Sequence, residues 1–220
     1  MNSGLSHGIG MTSQRTRTRM IERLRESGIR NEAVLAAMAK VPRHVFVEEA
    51  LASRAYEDTA LPLGMGQTIS QPFIVARMIE LLLNGRQSIG KTLEVGAGCG
   101  YQAAVLAQLS SEVYAVERLG PLLEKAKSHM RTLQQFNVRL KHGDGQLGLP
   151  EAGPFDSIIV AAAGTQIPLP LLEQLSPGGR LILPVGTTEQ YLCFIEHTAQ
   201  GFVETRLDAV RFVPLLAGMQ

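Results

Sequence analysis

Apolar side chains recur at intervals of three and four residues in the first third of the chain, which is the spacing of amphipathic helices. Thr12 or Ser13 can cap the first of these helices, and Gly28 ends it. The second helix begins near Asn31 and stops before Pro42, because the residue before a proline is disfavoured in a helix. The pattern predicts four helices, over residues 13–27, 31–41, 48–55 and 73–83.

Residues 61–72 interrupt this pattern. The segment reads Leu-Pro-Leu-Gly-Met-Gly-Gln-Thr-Ile-Ser-Gln-Pro, and its glycines and prolines disfavour any regular element. We therefore expect an irregular loop between the third and fourth helices.

Between residues 91 and 185 the chain alternates short apolar strands with helices. The predicted strands are 92–95, 113–116, 138–141, 157–161 and 180–183, and the predicted helices are 101–109, 121–136 and 169–175. Residues 157–161 are apolar without alternation, which is typical of a strand buried on both faces. The turn Pro177–Gly179 is expected to lead into the fifth strand. This order predicts an α/β fold with a doubly wound, mostly parallel sheet.

The C-terminal part of the chain has a different pattern. Residues 191–196 and 202–207 resemble strands joined by Thr-Ala-Gln-Gly, which predicts an antiparallel hairpin at one sheet edge. We expect a single domain over residues 12–220, with a helical cap over 12–88, a parallel core over 89–186 and antiparallel strands over 187–220. Residues 1–11, rich in glycine and serine, are expected to be a disordered tail.

Composition narrows the classes of protein only slightly. The 220 residues are 45% hydrophobic and 19% charged, which suits one packed domain. The net charge of +1 disfavours a nucleic-acid partner, because phosphate binding usually requires a basic excess. One stretch is locally basic, and a solvated helix face is the simpler interpretation of it, with a nucleic-acid arm as the alternative. Its arginines are Arg15, Arg17, Arg19, Arg23, Arg25 and Arg30.

Cysteine usage and hydropathy favour a cytoplasmic protein. Cys99 and Cys193 have no CxxC partner and cannot form a dense disulfide framework, which fits a reducing compartment. No apolar run approaches the roughly 18 residues of a membrane span, and the N-terminus lacks the pattern of a signal peptide. We predict no membrane association, no metal site and a monomer.

The most informative segment is Leu-Glu-Val-Gly-Ala-Gly-Cys-Gly-Tyr at residues 93–101. Glycines 96, 98 and 100 follow a predicted strand and open a helix, so the backbone can approach a ligand closely at a helix N-terminus. A dinucleotide loop would have glycine three residues after Gly98, where Tyr101 stands instead. We interpret Cys99, inside the loop, as a small filler and not as a nucleophile, because no activating neighbour is evident.

Two acidic residues stand at the ends of the next two strands. Glu117 ends the second strand, about 20 residues beyond the loop, where a carboxylate can accept both hydroxyls of a ribose. Asp144 ends the third strand. Each alone could be a solvated strand end or a turn residue. Three such features at successive carboxyl ends of strands favour a nucleoside ligand over a purely structural role.

The spacing Glu94-x-Gly96-x-Gly98-x-Gly100 resembles the first motif of class I methyltransferases. The resemblance implies a Rossmann-like fold in which this loop wraps the methionyl part of S-adenosylmethionine and Asp144 lies beside the adenine. The Asn/Asp-Pro-Pro-Tyr/Phe signature of amino-methyltransferases is absent, because Val-Ala-Ala-Ala stands at residues 160–163. A carboxylate acceptor, already ionised near pH 7, would need alignment but no base.

Seven further segments resemble the protein-L-isoaspartate O-methyltransferase family over roughly residues 12–216. They are 41–47 (VPRHVFV), 55–58 (AYED), 66–72 (GQTISQP), 100–104 (GYQAA), 143–145 (GDG), 177–186 (PGGRLILPVG) and 211–215 (RFVPL). The family's active-site serine falls on Ser70, whose hydroxyl would donate to the acceptor carboxylate. Ser70 could also cap the helix that starts at Pro72.

The resemblance also implies the remaining site residues. The peptide substrate would lie against Val213, Pro214 and Leu215. The expected cofactor-binding residues are Gln67, Thr68, Ile69, Ser70, Glu94, Gly96, Gly98, Gly100, Glu117, Arg118, Asp144 and Gly145.

The resemblance implies methyl transfer from S-adenosylmethionine to the free α-carboxylate of L-isoaspartyl residues in damaged proteins and peptides, with S-adenosylhomocysteine as the product. Two alternatives stay open. One is a methyltransferase for RNA or a small molecule, favoured by the N-terminal arginines, and the other is a nucleoside-binding module without catalysis. A nicotinamide oxidoreductase is disfavoured by Tyr101.

Overall fold

The computed structural model describes residues 10–220. The tail predicted to be disordered, residues 1–11, lies outside the described residues except for its last two positions, which belong to a single 3-10 turn, Gly10–Thr12. None of the helices in the described part of the chain combines the length and the apolar composition that a membrane span requires.

Six α-helices and nine strands make up the described chain, together with short 3-10 turns. The helices are α1 (Gln14–Glu26), α2 (Glu32–Lys40), α3 (Pro72–Leu83), α4 (Tyr101–Leu106), α5 (Gly120–Thr132) and α6 (Leu169–Glu173). The strands are β1 (Leu61–Gly64), β2 (Gln67–Ile69), β3 (Gly90–Val95), β4 (Ser110–Glu117), β5 (Val138–His142), β6 (Phe155–Val160), β7 (Leu175–Gly186), β8 (Gln190–Thr198) and β9 (Gly201–Val210).

Strands β3 to β9 form one sheet in the order β5-β4-β3-β6-β7-β8-β9. The first five strands in this order are parallel, whereas β8 and β9 run antiparallel to their neighbours. The predicted doubly wound, mostly parallel sheet with a C-terminal antiparallel hairpin is therefore confirmed. The direction of winding reverses at β3, and a sheet of this kind binds ligands at that position.

The sheet is covered on both faces, which explains the unbroken apolar runs of its central strands. Ile158 packs into the core on one face, and its neighbour Ile159 packs into the core on the other. Because successive side chains of a strand point to opposite faces, a strand buried on both sides needs apolar residues at every position.

The expected irregular loop at residues 61–72 is wrong, because β1 and β2 form a small antiparallel hairpin there. Leu61 and Leu63 are buried while Pro62 is exposed, which is the alternation of a strand with one covered face. Glycines 64 and 66 both have positive φ and form the turn. The proline is tolerated because a two-stranded ribbon has only edge strands.

Other boundaries shift by a few residues. Helix α5 ends at Thr132 and not at 136, and Gln134 just beyond it has a φ of 54°. Residues 48–55 contain a 3-10 turn, Glu49–Arg54, in place of an α-helix. Residues 175–179 belong to β7, although the pairing with β6 is irregular there.

The arginine-rich stretch is not simply a solvated helix face. Arg17 is buried, and its guanidinium donates to the Tyr56 hydroxyl (3.2 Å) and to the Ala39 carbonyl (3.1 Å). Arg23 donates to the carbonyl of Tyr56. The aliphatic part of a long cationic side chain can pack inside when its head group finds acceptors.

Candidate active site

A cleft opens at the carboxyl ends of β3, β4 and β6, between the glycine loop and the β1–β2 hairpin. Gly100 and Asp144 are the only predicted site residues that do not line it. The predicted residues that line it are Gln67, Thr68, Ile69, Ser70, Glu94, Gly96, Gly98, Glu117, Arg118, Gly145, Val213, Pro214 and Leu215. The structure therefore brings together segments more than a hundred residues apart in the sequence.

The glycine loop crosses the floor of the cleft with its backbone facing the ligand space. Gly98 has a φ of 54°, a left-handed conformation that side-chain-bearing residues seldom adopt. Gly100 has a different task, because it precedes α4 with a φ of 87° and packs against α5. A Cβ atom there would lie 3.0 Å from the terminal methyl carbon of Met130. Gly100 therefore shapes the loop without lining the cleft.

Glu117 ties the loop to the end of β4. Its Oε2 accepts the amide proton of Gly98 (2.8 Å), and its Oε1 accepts that of Leu119 (2.9 Å). The residue is 5% exposed. A carboxylate has about four acceptor positions, so Glu117 can accept further donors from the cleft while it holds the loop.

Glu94 is the second carboxylate of the cleft. It is fully buried, and neither of its carboxylate oxygens has a hydrogen-bond partner among residues 10–220. Burial raises the pKa of Glu94 well above its usual value; the nearby Gln102 amide partly counters this, and the charge of Glu117 adds to it. A buried carboxylate without donors is stabilised by a cationic ligand. The cleft thus fits a ligand that carries an ammonium or sulfonium group, as S-adenosylmethionine does.

Asp144 lies beside the cleft and binds backbone. Its Oδ1 accepts the amide proton of Gln146 (2.9 Å), and its Oδ2 accepts that of Gly218 in the C-terminal tail (2.6 Å). Gly145, the next residue, lines the cleft. Asp144 therefore anchors the tail near the mouth of the cleft.

The C-terminal tail is held on its other side by Arg118, which lines the cleft. The Arg118 Nε donates to the carbonyl of Gly218 (3.1 Å), and the amide of Gln220 donates to the carbonyl of Arg118 (2.7 Å). Sequence reasoning missed this contact, because no local pattern shows where the last residues of a chain return.

Ser70 follows β2, and among residues 10–220 its carbonyl accepts a hydrogen bond while its hydroxyl makes none. The alternative that Ser70 caps α3 does not hold, because the residue at the cap position is Gln71. The first free amide of α3, that of Phe73, is accepted instead by Asp58 (2.8 Å). The Ser70 hydroxyl is consequently available to a ligand.

A second groove of about 880 Å³ adjoins the cleft. Both cavities are lined by Thr68, Ser70, Ala161 and Val213. The groove is otherwise lined by Ala60, Gln71, Ile74 and the segment from Ala209 to Phe212. A ligand in the cleft and a ligand in the groove would therefore meet at Ser70.

Cys99 also lines the cleft, and its thiol is buried. It is 3% exposed, and burial raises the pKa of its thiol to about 11. A thiol with a raised pKa is a poor nucleophile at neutral pH, which favours the interpretation of Cys99 as a small filler.

Comparison with known proteins decides the family. The family model for protein-L-isoaspartate(D-aspartate) O-methyltransferase matches residues 15–220. The chain belongs to this family. A protein-L-isoaspartate O-methyltransferase of Dechloromonas aromatica is 87% identical over 214 residues, which are 97% of this chain and 99% of the relative. One from Methylobacillus flagellatus is 60% identical over 222 residues, 99% of each chain.

Solved structures of the same family superpose on most of the chain. One protein-L-isoaspartate O-methyltransferase aligns with a TM-score of 0.83 at 28% identity, covering 92% of this chain and 67% of its own. The Plasmodium falciparum protein was solved in complex with S-adenosyl-L-homocysteine. It aligns with a TM-score of 0.79 at 26% identity, and the alignment covers 91% of this chain and 98% of the Plasmodium chain. The cofactor of the family is S-adenosylmethionine, in agreement with the carboxylates of the cleft.

Proposed function

We propose that the cleft and the groove together transfer a methyl group from S-adenosylmethionine to the free α-carboxylate of an L-isoaspartyl residue in a damaged protein or peptide. The observation that carries this proposal is the junction of the two cavities at Thr68, Ser70, Ala161 and Val213. A cofactor in the cleft and an extended peptide in the groove can approach each other only there.

The residues of the cleft would hold the cofactor by its charged and polar parts. Glu94 would accept the methionyl ammonium, because neither of its oxygens makes a hydrogen bond among the described residues. Glu117 would accept the ribose hydroxyls, and the adenine would lie against Gly145, which lines the cleft next to Asp144. Gln67, Thr68 and Ile69, in β2, would cover the bound cofactor. When bound, S-adenosylmethionine supplies an electrophilic methyl group on a sulfonium.

The residues of the groove would align the acceptor. Its carboxylate is ionised near pH 7 and needs no base, so the protein has to orient it and exclude other approaches. The Ser70 hydroxyl would donate to one carboxylate oxygen. The segment Val213–Leu215 is fixed to Ala163 by two backbone hydrogen bonds of 2.8 Å and would form the peptide-facing wall.

The product would be a methyl ester of the isoaspartyl residue. This ester can cyclise without the enzyme to a succinimide, and hydrolysis of the succinimide partly restores aspartate. The activity would therefore serve protein repair.

Transfer of tritium from labelled S-adenosylmethionine to an isoaspartyl peptide tests the proposal. We expect labelling of the isoaspartyl peptide and none of the matched aspartyl peptide, and equal labelling of the two would refute the specificity. Ser70→Ala should lower kcat roughly 10- to 150-fold, because a hydrogen bond to a charged group contributes about 1.5–3 kcal/mol. The substitution should leave the binding of S-adenosylhomocysteine intact. The exposed Ser128→Ala is the matched control.

We also propose that the protein acts as a monomer in the cytoplasm without a nucleic-acid partner. Both cysteines are buried and free, which suits a reducing compartment. Of the N-terminal arginines, Arg17 is buried and Arg25 pairs with Glu32, so the stretch offers fewer cations than its sequence implies. Light scattering of the pure protein and a labelling assay with RNA as the acceptor would test these points.

A further inference from the structure

Arg43 is a buried cation that forms no ion pair with the residues that the structure describes. It begins the 3-10 turn Arg43–Phe46 and is 0% exposed. Its Nε donates to the carbonyl of Ala55 (2.8 Å), and its Nη2 donates to the carbonyl of Ser70 (2.8 Å). Its Nη1 has no partner within residues 10–220, and the guanidinium lies 4.7 Å from the ring centroid of Tyr101. Burying a cation in this way is costly, so a functional reason is expected.

Asp58 holds the same segment from the other side. Its Oδ2 accepts a proton from the Gln71 side-chain amide (2.9 Å), and its Oδ1 accepts the backbone amide of Phe73 (2.8 Å). Helix α3 starts at Pro72 and receives no side-chain cap from its own N-cap residue. Asp58 therefore supplies this helix end with an acceptor from a distant position in the chain.

The backbone and the side chain of Ser70 differ in their contacts. Its carbonyl accepts a hydrogen bond from Arg43, and Asp58 accepts hydrogen bonds from Gln71 and Phe73, whereas the Ser70 hydroxyl makes none in the described chain. Ser70 is thus held by its backbone while its reactive side chain faces both cavities.

We propose that Arg43 and Asp58 are positioning residues that fix the Ser70 hydroxyl at the junction of the cleft and the groove. This inference rests on the proposed role of Ser70 in aligning the acceptor carboxylate. Neither residue lines the cleft or the groove. Asp58 reaches the site through Gln71 and Phe73, and Arg43 reaches it through the Ser70 carbonyl and through its packing on Tyr101, which lines the cleft. Transfer depends on alignment, and a misplacement of about 1 Å can cost on the order of 100-fold in rate.

Arg43→Lys and Asp58→Asn probe this arrangement without a large change in volume. A lysine keeps the charge, but its single ammonium lacks the planar fork that spans two carbonyls. An asparagine at 58 has one acceptor oxygen, so it can no longer accept from both the Phe73 amide and the Gln71 side chain. Arg54→Lys and Glu57→Gln are matched controls, because these residues form an exposed ion pair (3.0 Å) in the same part of the chain.

The test is a double-mutant cycle with an isoaspartyl peptide, in which each variant is made with Ser70 and with Ser70→Ala. We expect each variant to lower kcat about 10- to 100-fold with Ser70 present and less than about threefold with alanine there, because the effect passes through the hydroxyl. The Kd for S-adenosylhomocysteine should stay within about threefold. Both control variants should retain kcat within about twofold.

Losses that multiply in the Ser70→Ala background would overturn the proposal, because they would reflect general disruption. If Arg43→Lys fails to fold, as shown by circular dichroism, the cycle with Asp58→Asn decides alone. Failure of both variants to fold would assign the two residues a purely structural role and would also overturn it. A wild-type enzyme that does not label the isoaspartyl peptide would refute the proposed function, which is a separate result.

Discussion

Glu94→Gln offers a direct test of how the cleft binds its cofactor. The substitution keeps the shape of a side chain that is fully buried and has no hydrogen-bond partner in the described chain, while it removes the charge. A hydrogen bond between a buried carboxylate and an ammonium is worth about 1.5–3 kcal/mol. We therefore expect the Kd for S-adenosylhomocysteine to rise roughly 10- to 150-fold.

Without cofactor the same substitution should stabilise the fold. The pKa of Glu94 is raised in the folded protein, mainly by burial, so the folded state binds more protons than the unfolded state between the unfolded pKa and the raised value. Stability contributed by this group is therefore present at low pH and is lost as pH rises through that interval. At neutral pH, Glu94→Gln should unfold at a higher temperature than the wild type.

Cofactor binding should show the opposite dependence on pH. An ammonium group favours the ionised carboxylate and lowers its pKa, so binding should release protons and strengthen as pH rises. Calorimetry in two buffers of different ionisation enthalpy measures this release. The release should vanish in Glu94→Gln and persist in the exposed control Glu124→Gln. A Kd for Glu94→Gln within twofold of the wild type, with no proton release in either protein, would refute the assignment.

Three further substitutions or treatments test separate parts of the site. Gly100→Ala should cost about 1–3 kcal/mol of stability, because of the positive φ and the close approach of α5, and thermal melts check it. Asp144→Ala should lower stability by about 1–2 kcal/mol by freeing the amide of Gly218, and should weaken S-adenosylhomocysteine binding in calorimetry. In the folded enzyme at pH 7.5, Cys99 should resist alkylation because burial raises the pKa of its thiol to about 11, and mass spectrometry before and after unfolding shows whether it does.

Much of the parallel core could be predicted because its signals are local. The unbroken apolar run 157–161 and the glycines of the loop at 96–100 are each readable within a few residues. The positions of Glu94 and Glu117 follow from the same pattern, because the carboxyl ends of adjacent parallel strands meet at one edge of the sheet.

Two interpretations failed because the partners of the residues are distant in the sequence. Ser70 looks like a cap for α3, but Asp58 accepts the first free amide of that helix. Arg17 looks solvated, but Tyr56 and Ala39 accept its protons inside the protein. Local propensity does not contain these tertiary partners. The β1–β2 hairpin is local and was missed for another reason, because its glycines and proline also fit an irregular loop.

The cleft for the cofactor contains the carboxylates Glu94 and Glu117, whereas the junction where the acceptor would react is lined by uncharged residues. The chemistry of the transfer gives a reason for this difference. Transfer joins a sulfonium cation to a carboxylate anion and yields two neutral groups, so charge is greatest before reaction. A cationic side chain bound to the acceptor carboxylate would stabilise the charged reactants more than the transition state and would slow the reaction. A neutral hydroxyl orients the carboxylate with less of this penalty.

The residues around Ser70 agree with this requirement. The junction is lined by the uncharged Thr68, Ser70, Ala161 and Val213, and the buried cation Arg43 donates to the Ser70 carbonyl and does not line either cavity. Its charge is therefore used to fix the backbone, while the acceptor at the junction meets hydroxyl and apolar groups; Arg211 lines the groove but not the junction. Placing a cation directly at the junction, as in Ala161→Lys, should tighten peptide binding and lower kcat together, because it would stabilise the carboxylate that has to react.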